Sequence, residues 1–533
     1  MMDAALHGLS GIAFAYAAVQ VSMIAALIRA RATFQQYAIA PLAALPLTAV
    51  AAAGSALFAP PGIAHAFLAV GASALLGYAG GEVLAHDAVA DKVHRRGAHI
   101  AERAPRRAAE SNAGVSLAGL RVPAADETKH FKLIGTTGTG KSTAIRELMS
   151  QALARGDRAV IADPDGGYLR RFYRKERDDV ILNPFDERSV KWDLFAEIRN
   201  VYDVEQLARS LIPDHEGADR SWSGYARTFF SAVTRQARAA GIGDVGELYR
   251  LLVVADADEL RTLVRGTPAQ PFLEEHNSRM FDSIRSVTSS AVGALQYIAQ
   301  QKSEHFSVRD WVDDDKPGVL FIPYKAGQIA ALRSSISGWM RLAIFETMDR
   351  GEENTSVWFV VDELDALGQI DGLKDALARL RKFNGRCVLG FQSIAQVSST
   401  YGQGDAHTII ENCSNTLILR CSSSEGGGTA RFASQLIGER EIVRTSMSSS
   451  RRLTELLGSV SRTQHIAIEP AVLASQVEQL PDLSGYLKYA SDPNWVRVRL
   501  DAKQTWREAR ATASAARATD EARSQRSLGA EHE

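Results

Sequence analysis

The stretch GTTGTGKST, Gly135 to Thr143, narrows the choice of folds more than any other because of what flanks it. An apolar strand pattern, FKLI, leads in, and a helical pattern, STAIRELMSQALARG, leads out. The spacing G-x-x-x-x-G-K-[ST] in that setting calls for a strand and a helix joined by a phosphate-binding turn. The glycines let backbone N–H groups turn inward, and the helix N-terminus adds partial positive charge. Gly135, Thr136, Thr137, Gly138, Thr139, Gly140, Lys141, Ser142 and Thr143 are therefore the expected nucleotide-binding residues. Lys141 is expected to reach the β- and γ-phosphates of ATP, and the Ser142 hydroxyl to ligate Mg²⁺.

Around this turn, short β-branched runs alternate with helical patterns: RAVIADP, DDVILNP, PGVLFIPY, VWFVVDE, RCVLGFQ and NTLILRC. Such alternation predicts an α/β fold with a mainly parallel sheet wrapped by helices. Between DDVILNP and PGVLFIPY strand signals vanish. There Trp222, Tyr225, Phe229, Phe230 and Val233 fall near one helical face, which predicts an all-α domain over residues 189–312 inserted in the core. The nucleotide-binding domain is then split into residues 126–188 and 313–500. A tail over 501–533, poor in large apolar residues, is expected to be a solvated helix or disordered.

VWFVVDELDAL ends an apolar strand in two carboxylates, and ligands of such sheets bind at the carboxyl edge. Asp362 is expected to hold Mg²⁺, and Glu363 to orient and deprotonate an attacking water. Gln392, ending RCVLGFQ, stands where a γ-phosphate sensor is useful. The helix GLKDALARLRKFNG carries Arg379, Arg381 and Lys382, whose ordinary reading is a solvated face; in a ring of subunits an arginine there reaches a neighbour's nucleotide.

The N-terminal part has a different composition. Between Met1 and Gly81 the only charged residues are Asp3, Arg29 and Arg31, and three apolar runs, Leu9 to Ile28, Tyr37 to Ala59 and Gly62 to Gly80, approach the ~20 residues that span a bilayer. Residues 1–81 are thus expected to be a transmembrane anchor of two or three helices, with FAPPG as a short external turn. Lys92, Arg95, Arg96, Arg103, Arg106 and Arg107 follow in a charged linker, 82–125, expected to be a helical or flexible stalk. By the positive-inside rule these cations place the catalytic domain in the cytoplasm. The net charge of −1 carries no bulk signature of nucleic-acid binding, so any such surface is local. The loop SSTYGQGDAHT, with Tyr401, is a candidate for it. Cys387, Cys413 and Cys421 match no zinc spacing and suit a reducing compartment.

Taken together and in order, GTTGTGKST, RGDRAVIADPDG, VILNPFDERSVKWDLFAEIRN, VVDELDAL, LRKFNGRCVLGFQS and PAVLASQVEQLPDLSGYLKYA closely resemble the coupling proteins of type IV secretion and conjugation systems (TraD/TrwB type). The resemblance implies a membrane-anchored hexameric ATPase with a RecA-like P-loop core and an all-α domain. It further implies ATP-driven pumping of single-stranded DNA, with its attached relaxase and DNA-processing complex, toward type IV secretion channel components at the bacterial inner membrane. Carried over by motif, Lys141 and Ser142 are the P-loop pair, Asp362 and Glu363 the Walker B pair, Gln392 the sensor and Arg381 the arginine finger. Two other readings are a chromosome-segregation-type membrane translocase acting on duplex DNA and a nucleotide-gated adaptor that recruits proteins to a secretion channel.

Overall fold

The computed structural model describes residues 2–30, 32, 34–58, 63–86, 92–101, 114–213, 220–351, 355–424, 427–450 and 459–502. Residues 59–62 of the FAPPG turn, Arg103, Arg106 and Arg107 of the linker, and the tail beyond 502 lie outside them. The chain forms two compact units, Met1–Arg96 with Arg440–Glu469, and Gly97–Glu439 with Pro470–Glu533.

In the first unit, helices run over Met2–Ala30, Phe34–Phe58 and Ile63–His86, and all three are long and apolar enough to cross a membrane. Val19, Met23, Leu27, Ala40 and Ala44 form their small shared core. Phe14, Phe34, Phe67 and Leu75 instead stay largely exposed, an arrangement that water opposes and hydrocarbon favours. Gly77 and Gly81 stand one turn apart on the third helix. A Cβ at Gly77 would lie 2.3 Å from the Val19 carbonyl oxygen, and one at Gly81 would lie 2.7 Å from that of Met23. Helices in lipid associate through such close backbone contact at small residues. The same unit holds a three-stranded sheet in which Glu439–Ser450 lies between Lys92–Gly97 and Ser459–Pro470. A strand at 92–97 departs from the expected stalk, because it gains its partner from a segment hundreds of residues later.

The second unit is built on a ten-stranded sheet. Its strands are β1 (Ile100–Ala101), β2 (Phe131–Ile134), β3 (Arg158–Pro164), β4 (Val180–Ile181), β5 (Val319–Tyr324), β6 (Val357–Val361), β7 (Gly385–Phe391), β8 (Asn415–Ile418), β9 (Ser484–Lys488) and β10 (Trp495–Arg499). They lie in the order β1-β10-β9-β8-β2-β7-β6-β3-β5-β4. The seven strands from β8 to β4 are mutually parallel, and β9 and β10 extend the sheet antiparallel beyond β8. Strands β2, β5, β6, β7 and β8 are buried along their whole length, which is why they read as unbroken apolar runs instead of alternating ones. The short helix at the P-loop, Lys141–Ala154, packs on one face through Ile145, Leu148 and Met149; the Ile329–Asp349 helix packs on the other core cluster.

Between β4 and β5 the described residues are mainly helical. Helices Asp203–Leu211, Arg220–Ala239 and Ser278–Val292 share a core in which Phe229 and Phe281 meet edge to face at 5.3 Å. The region is not purely helical, however. Lys191–Trp192 and His305–Phe306 form a two-residue parallel ladder where the insert leaves and rejoins the sheet domain. Glu197, fully buried beside it, accepts from Trp192 Nε1 at 2.9 Å, Ser307 Oγ at 3.2 Å, Val308 N at 2.7 Å and Arg309 N at 3.1 Å. Those four donors tie both ends of the insert to one carboxylate.

Candidate nucleotide site

Three neighbouring parallel strands deliver the site. β2 ends in the glycine-rich turn, β7 in Gln392 and β6 in Asp362 and Glu363, with β7 in the middle. All the groups therefore emerge at the carboxyl edge of one sheet, with Gln392 between the loop and the acidic pair. Thr137 Oγ1 donates to Gln392 Oε1 at 2.8 Å, and Gln392 Nε2 donates to Glu363 Oε1 at 2.9 Å. Ser142 Oγ donates to Asp362 Oδ2 at 2.6 Å.

The loop itself is held from both sides. Gly138 and Gly140 have φ of +78° and +120°, conformations closed to most side chains. Thr139 is buried and donates from Oγ1 to the Thr136 carbonyl at 2.7 Å. Lys141 is buried too, its Nζ donating to the Gly135 carbonyl at 2.6 Å and the Thr136 carbonyl at 3.3 Å. From across the sheet the Leu483 N–H, in LPDLSGYL, donates to the Thr139 carbonyl at 2.9 Å, and a Cβ on Gly140 would collide with Leu483 Cδ2 at 2.9 Å. That motif is thus a backstop of the phosphate loop. Thr143 lies half-buried in the first turn of the following helix.

Burial pushes the Lys141 ammonium below its usual range, while Asp362 and Glu363 pull it back up. Burial likewise raises the Glu363 carboxyl, helped by the negative charge of Asp362 and opposed by the Gln392 hydrogen bond. Asp362 Oδ1 is buried and has no hydrogen-bond partner. A hydroxyl that donates to Oδ2 keeps its own oxygen lone pairs, so Ser142 Oγ and the free Oδ1 form a hard-oxygen pair suited to Mg²⁺. Among the described residues no group of three or more His, Cys, Asp or Glu side chains gathers as a metal cage. Mg²⁺ fits the site nonetheless, since it keeps waters and phosphate oxygens in place of a full protein cage.

Arg381 is not brought to this site. It sits in the turn Arg381–Phe383 just before β7, at the amino end of that strand, and it is exposed. The phosphate loop leaves the carboxyl end of the adjacent parallel strand β2. The seven residues of β7 put about 20 Å between the two edges. Tyr401 corrects an expectation. It is buried at the end of the helix Ile394–Tyr401, with its hydroxyl receiving the Ile370 N–H at 3.2 Å, so it offers no loop surface to nucleic acid. All three cysteines are buried and free. The residue that the sequence did not single out is Tyr168, which is buried and donates from its hydroxyl to Asp362 Oδ2 at 2.8 Å.

Comparison with known proteins bears on the same region. A family profile described as the type IV secretion-system coupling protein DNA-binding domain matches residues 114–501. The coupling protein TraD of Escherichia coli K12 is 34% identical over 368 residues, which are 68% of this chain and 51% of TraD, so the chain spans about half the length of that relative. The plasmid coupling protein TrwB in complex with the non-hydrolysable ATP analogue ADPNP is 30% identical, with a TM-score of 0.68 over 78% of this chain and 96% of the chain in that structure. TrwB in complex with ADP and Mg²⁺ is 31% identical, with the same TM-score over 78% of this chain and 95% of that one. The profile takes in well over half of the residues, and the chain belongs to the type IV secretion-system coupling proteins.

Proposed function

We propose that this chain is a membrane-anchored motor that hydrolyses ATP with Mg²⁺ and moves single-stranded DNA, with its attached relaxase, into a type IV secretion channel. The relatives' nucleotide complexes support ATP and Mg²⁺ as its ligands. When bound, Mg²⁺ compensates charge on the β- and γ-phosphate oxygens. Ser142 Oγ and Asp362 hold it, and the loop N–H groups and Lys141 grip the phosphates. Lys141 moves from the loop carbonyls it now contacts to the nucleotide. Glu363 takes the proton of the attacking water, and Gln392 couples that base to the loop.

The observation that carries the reading furthest is the place of Arg381, exposed at the edge of the sheet opposite its own phosphate loop. An arginine there completes a site only on an adjacent subunit. Head-to-tail contact of that kind closes into a ring, for which a homo-hexamer is the family's arrangement. The three apolar helices fix the ring to the inner membrane as a multi-pass anchor, with the nucleotide site in the cytoplasm. Anchoring supplies the reaction force, so the strand moves and the motor stays. Phosphate contacts inside the ring are sequence-tolerant and salt-dependent.

The test is ATPase rate against concentration of the purified full chain, with single-stranded DNA, duplex DNA or neither. A per-subunit rate that rises cooperatively and is stimulated by single strands is expected. Stimulation by duplex alone supports a chromosome-segregation-type translocase, and indifference to both supports a protein-recruiting adaptor.

A further inference from the structure

Asp362 Oδ2 receives two hydroxyl protons, from Ser142 at 2.6 Å and from Tyr168 at 2.8 Å, while Oδ1 is buried with no partner. The tyrosine comes from DGGY, the turn that follows β3. That loop is tightly built. Asp165 and Gly166 turn it back at φ of +59° and +65°, and Asp163 accepts the Tyr168 N–H at 3.0 Å and the Leu169 N–H at 2.7 Å. On the other side Arg146, one helical turn after Ser142, sets its guanidinium carbon 5.6 Å from the tyrosine ring centroid. The ring is 1% exposed, so backbone and ring are both fixed before the hydroxyl is considered.

A phenylalanine would fill that space equally well. Burying a hydroxyl costs free energy unless it is used, and here it is used on the carboxylate that closes the Ser142 site. A carboxylate oxygen has two lone pairs in its plane, and Ser142 alone would leave the group free to rotate about its Cβ–Cγ bond. We propose that Tyr168 is a positioning residue for the metal. By taking the second lone pair of Oδ2 it holds the carboxylate in the one rotation that leaves Oδ1 free of protein partners and keeps the Ser142 oxygen lone pairs available. The inference rests on the reading that Ser142 and Asp362 hold Mg²⁺.

The experiment is binding of a fluorescent ADP analogue to the detergent-solubilised full chain, titrated with Mg²⁺ and compared with binding in EDTA. Tyr168→Phe raises the Mg²⁺ midpoint about tenfold, as loss of an outer-shell partner does, while affinity in EDTA and the melting temperature in EDTA stay near wild type. Tyr168→Met, a hydroxyl-free variant of different shape, gives the same shift and serves if the phenylalanine variant folds poorly. Because the tyrosine acts through Asp362, adding Tyr168→Phe to Asp362→Asn raises the midpoint no further. A folded hydroxyl-free variant with the wild-type midpoint, or additive effects in the double variant, overturns the proposal and leaves the nucleotide site standing. Wild type that binds no nucleotide, or binds it without regard to Mg²⁺, removes the site and this inference together.

Discussion

Gln392 donates from Nε2 to Glu363 Oε1 at 2.9 Å and, through its other amide atom, accepts from Thr137 of the phosphate loop at 2.8 Å. A single amide therefore joins the loop proposed to grip the phosphates to the carboxylate proposed as the base. Gln392→Ala breaks that link, costing the loop its Thr137 hydroxyl contact but leaving the loop backbone and Lys141 in place. Nucleotide affinity should stay within a few-fold of wild type while turnover falls about ten- to a hundredfold, measured as a split between KM and kcat. A raised KM with kcat unchanged would assign Gln392 to simple binding.

Lys141→Ala and Glu363→Gln separate the two halves of the site. The first removes the buried cation of the loop and should abolish nucleotide binding and turnover together. The second keeps shape and hydrogen-bonding capacity but not basicity, so ATP should remain bound while hydrolysis drops about 10²- to 10⁴-fold. Hydrolysis near wild type in Glu363→Gln would move the base elsewhere.

Gly77 and Gly71 share the third apolar helix, but only Gly77 meets a backbone closely. Gly77→Leu should destabilise the solubilised protein by about 1–3 kcal/mol through forced separation of two helices. Gly71→Leu should be tolerated, because a Cβ there has nothing within 4 Å. Unfolding of the full chain by denaturing detergent compares the two. Matching curves for both variants would show that the helices do not pack as described.

His130, just before β2, bonds to the helix Leu373–Leu380 and to β7, the two elements on either side of the turn that carries Arg381. The Cys387 N–H donates to its Nδ1 at 3.1 Å, which leaves Nε2 protonated to donate to the Leu377 carbonyl at 2.9 Å. Burial pushes this imidazole from 6.5 down to about 4. The unfolded chain then binds the proton more readily than the folded one between those two values. Its contribution to stability is therefore full above pH 6.5, declines as pH falls, and is gone below about pH 4, about 3 kcal/mol in all. Melting temperature should fall more steeply from pH 6.5 to 4.5 in wild type than in His130→Gln. Parallel slopes would mean that the imidazole takes up its proton as readily in the fold as in the unfolded chain.

The strands and the glycine-rich turn between strand and helix were legible because each carries its signal locally. VWFVVDE is buried on both faces, so its run of apolar residues and the acids that end it can be read without knowing the neighbours. Tyr168 was not legible, since its meaning lies in an oxygen 194 positions away and a tyrosine beside two glycines resembles any turn. The ladder of Lys191–Trp192 with His305–Phe306 is two residues long, too short for a period to show. Tyr401 misled for the opposite reason, because polar neighbours suggested an open loop where the ring fills a helix end against Ile370.

Subunit mixing tests the shared site most directly. Arg381→Ala chains keep an intact phosphate loop, and Lys141→Ala chains keep the arginine, so each preparation alone should bind or fold normally yet turn over little ATP. Mixed in equal amounts with single-stranded DNA, random assortment pairs an intact loop with an intact arginine at about a quarter of the junctions, and activity should reappear well above the mean of the two parents. Arg381→Ala chains that alone hydrolyse ATP at the wild-type rate, or a mixture as silent as its components, would contradict a site built from two subunits.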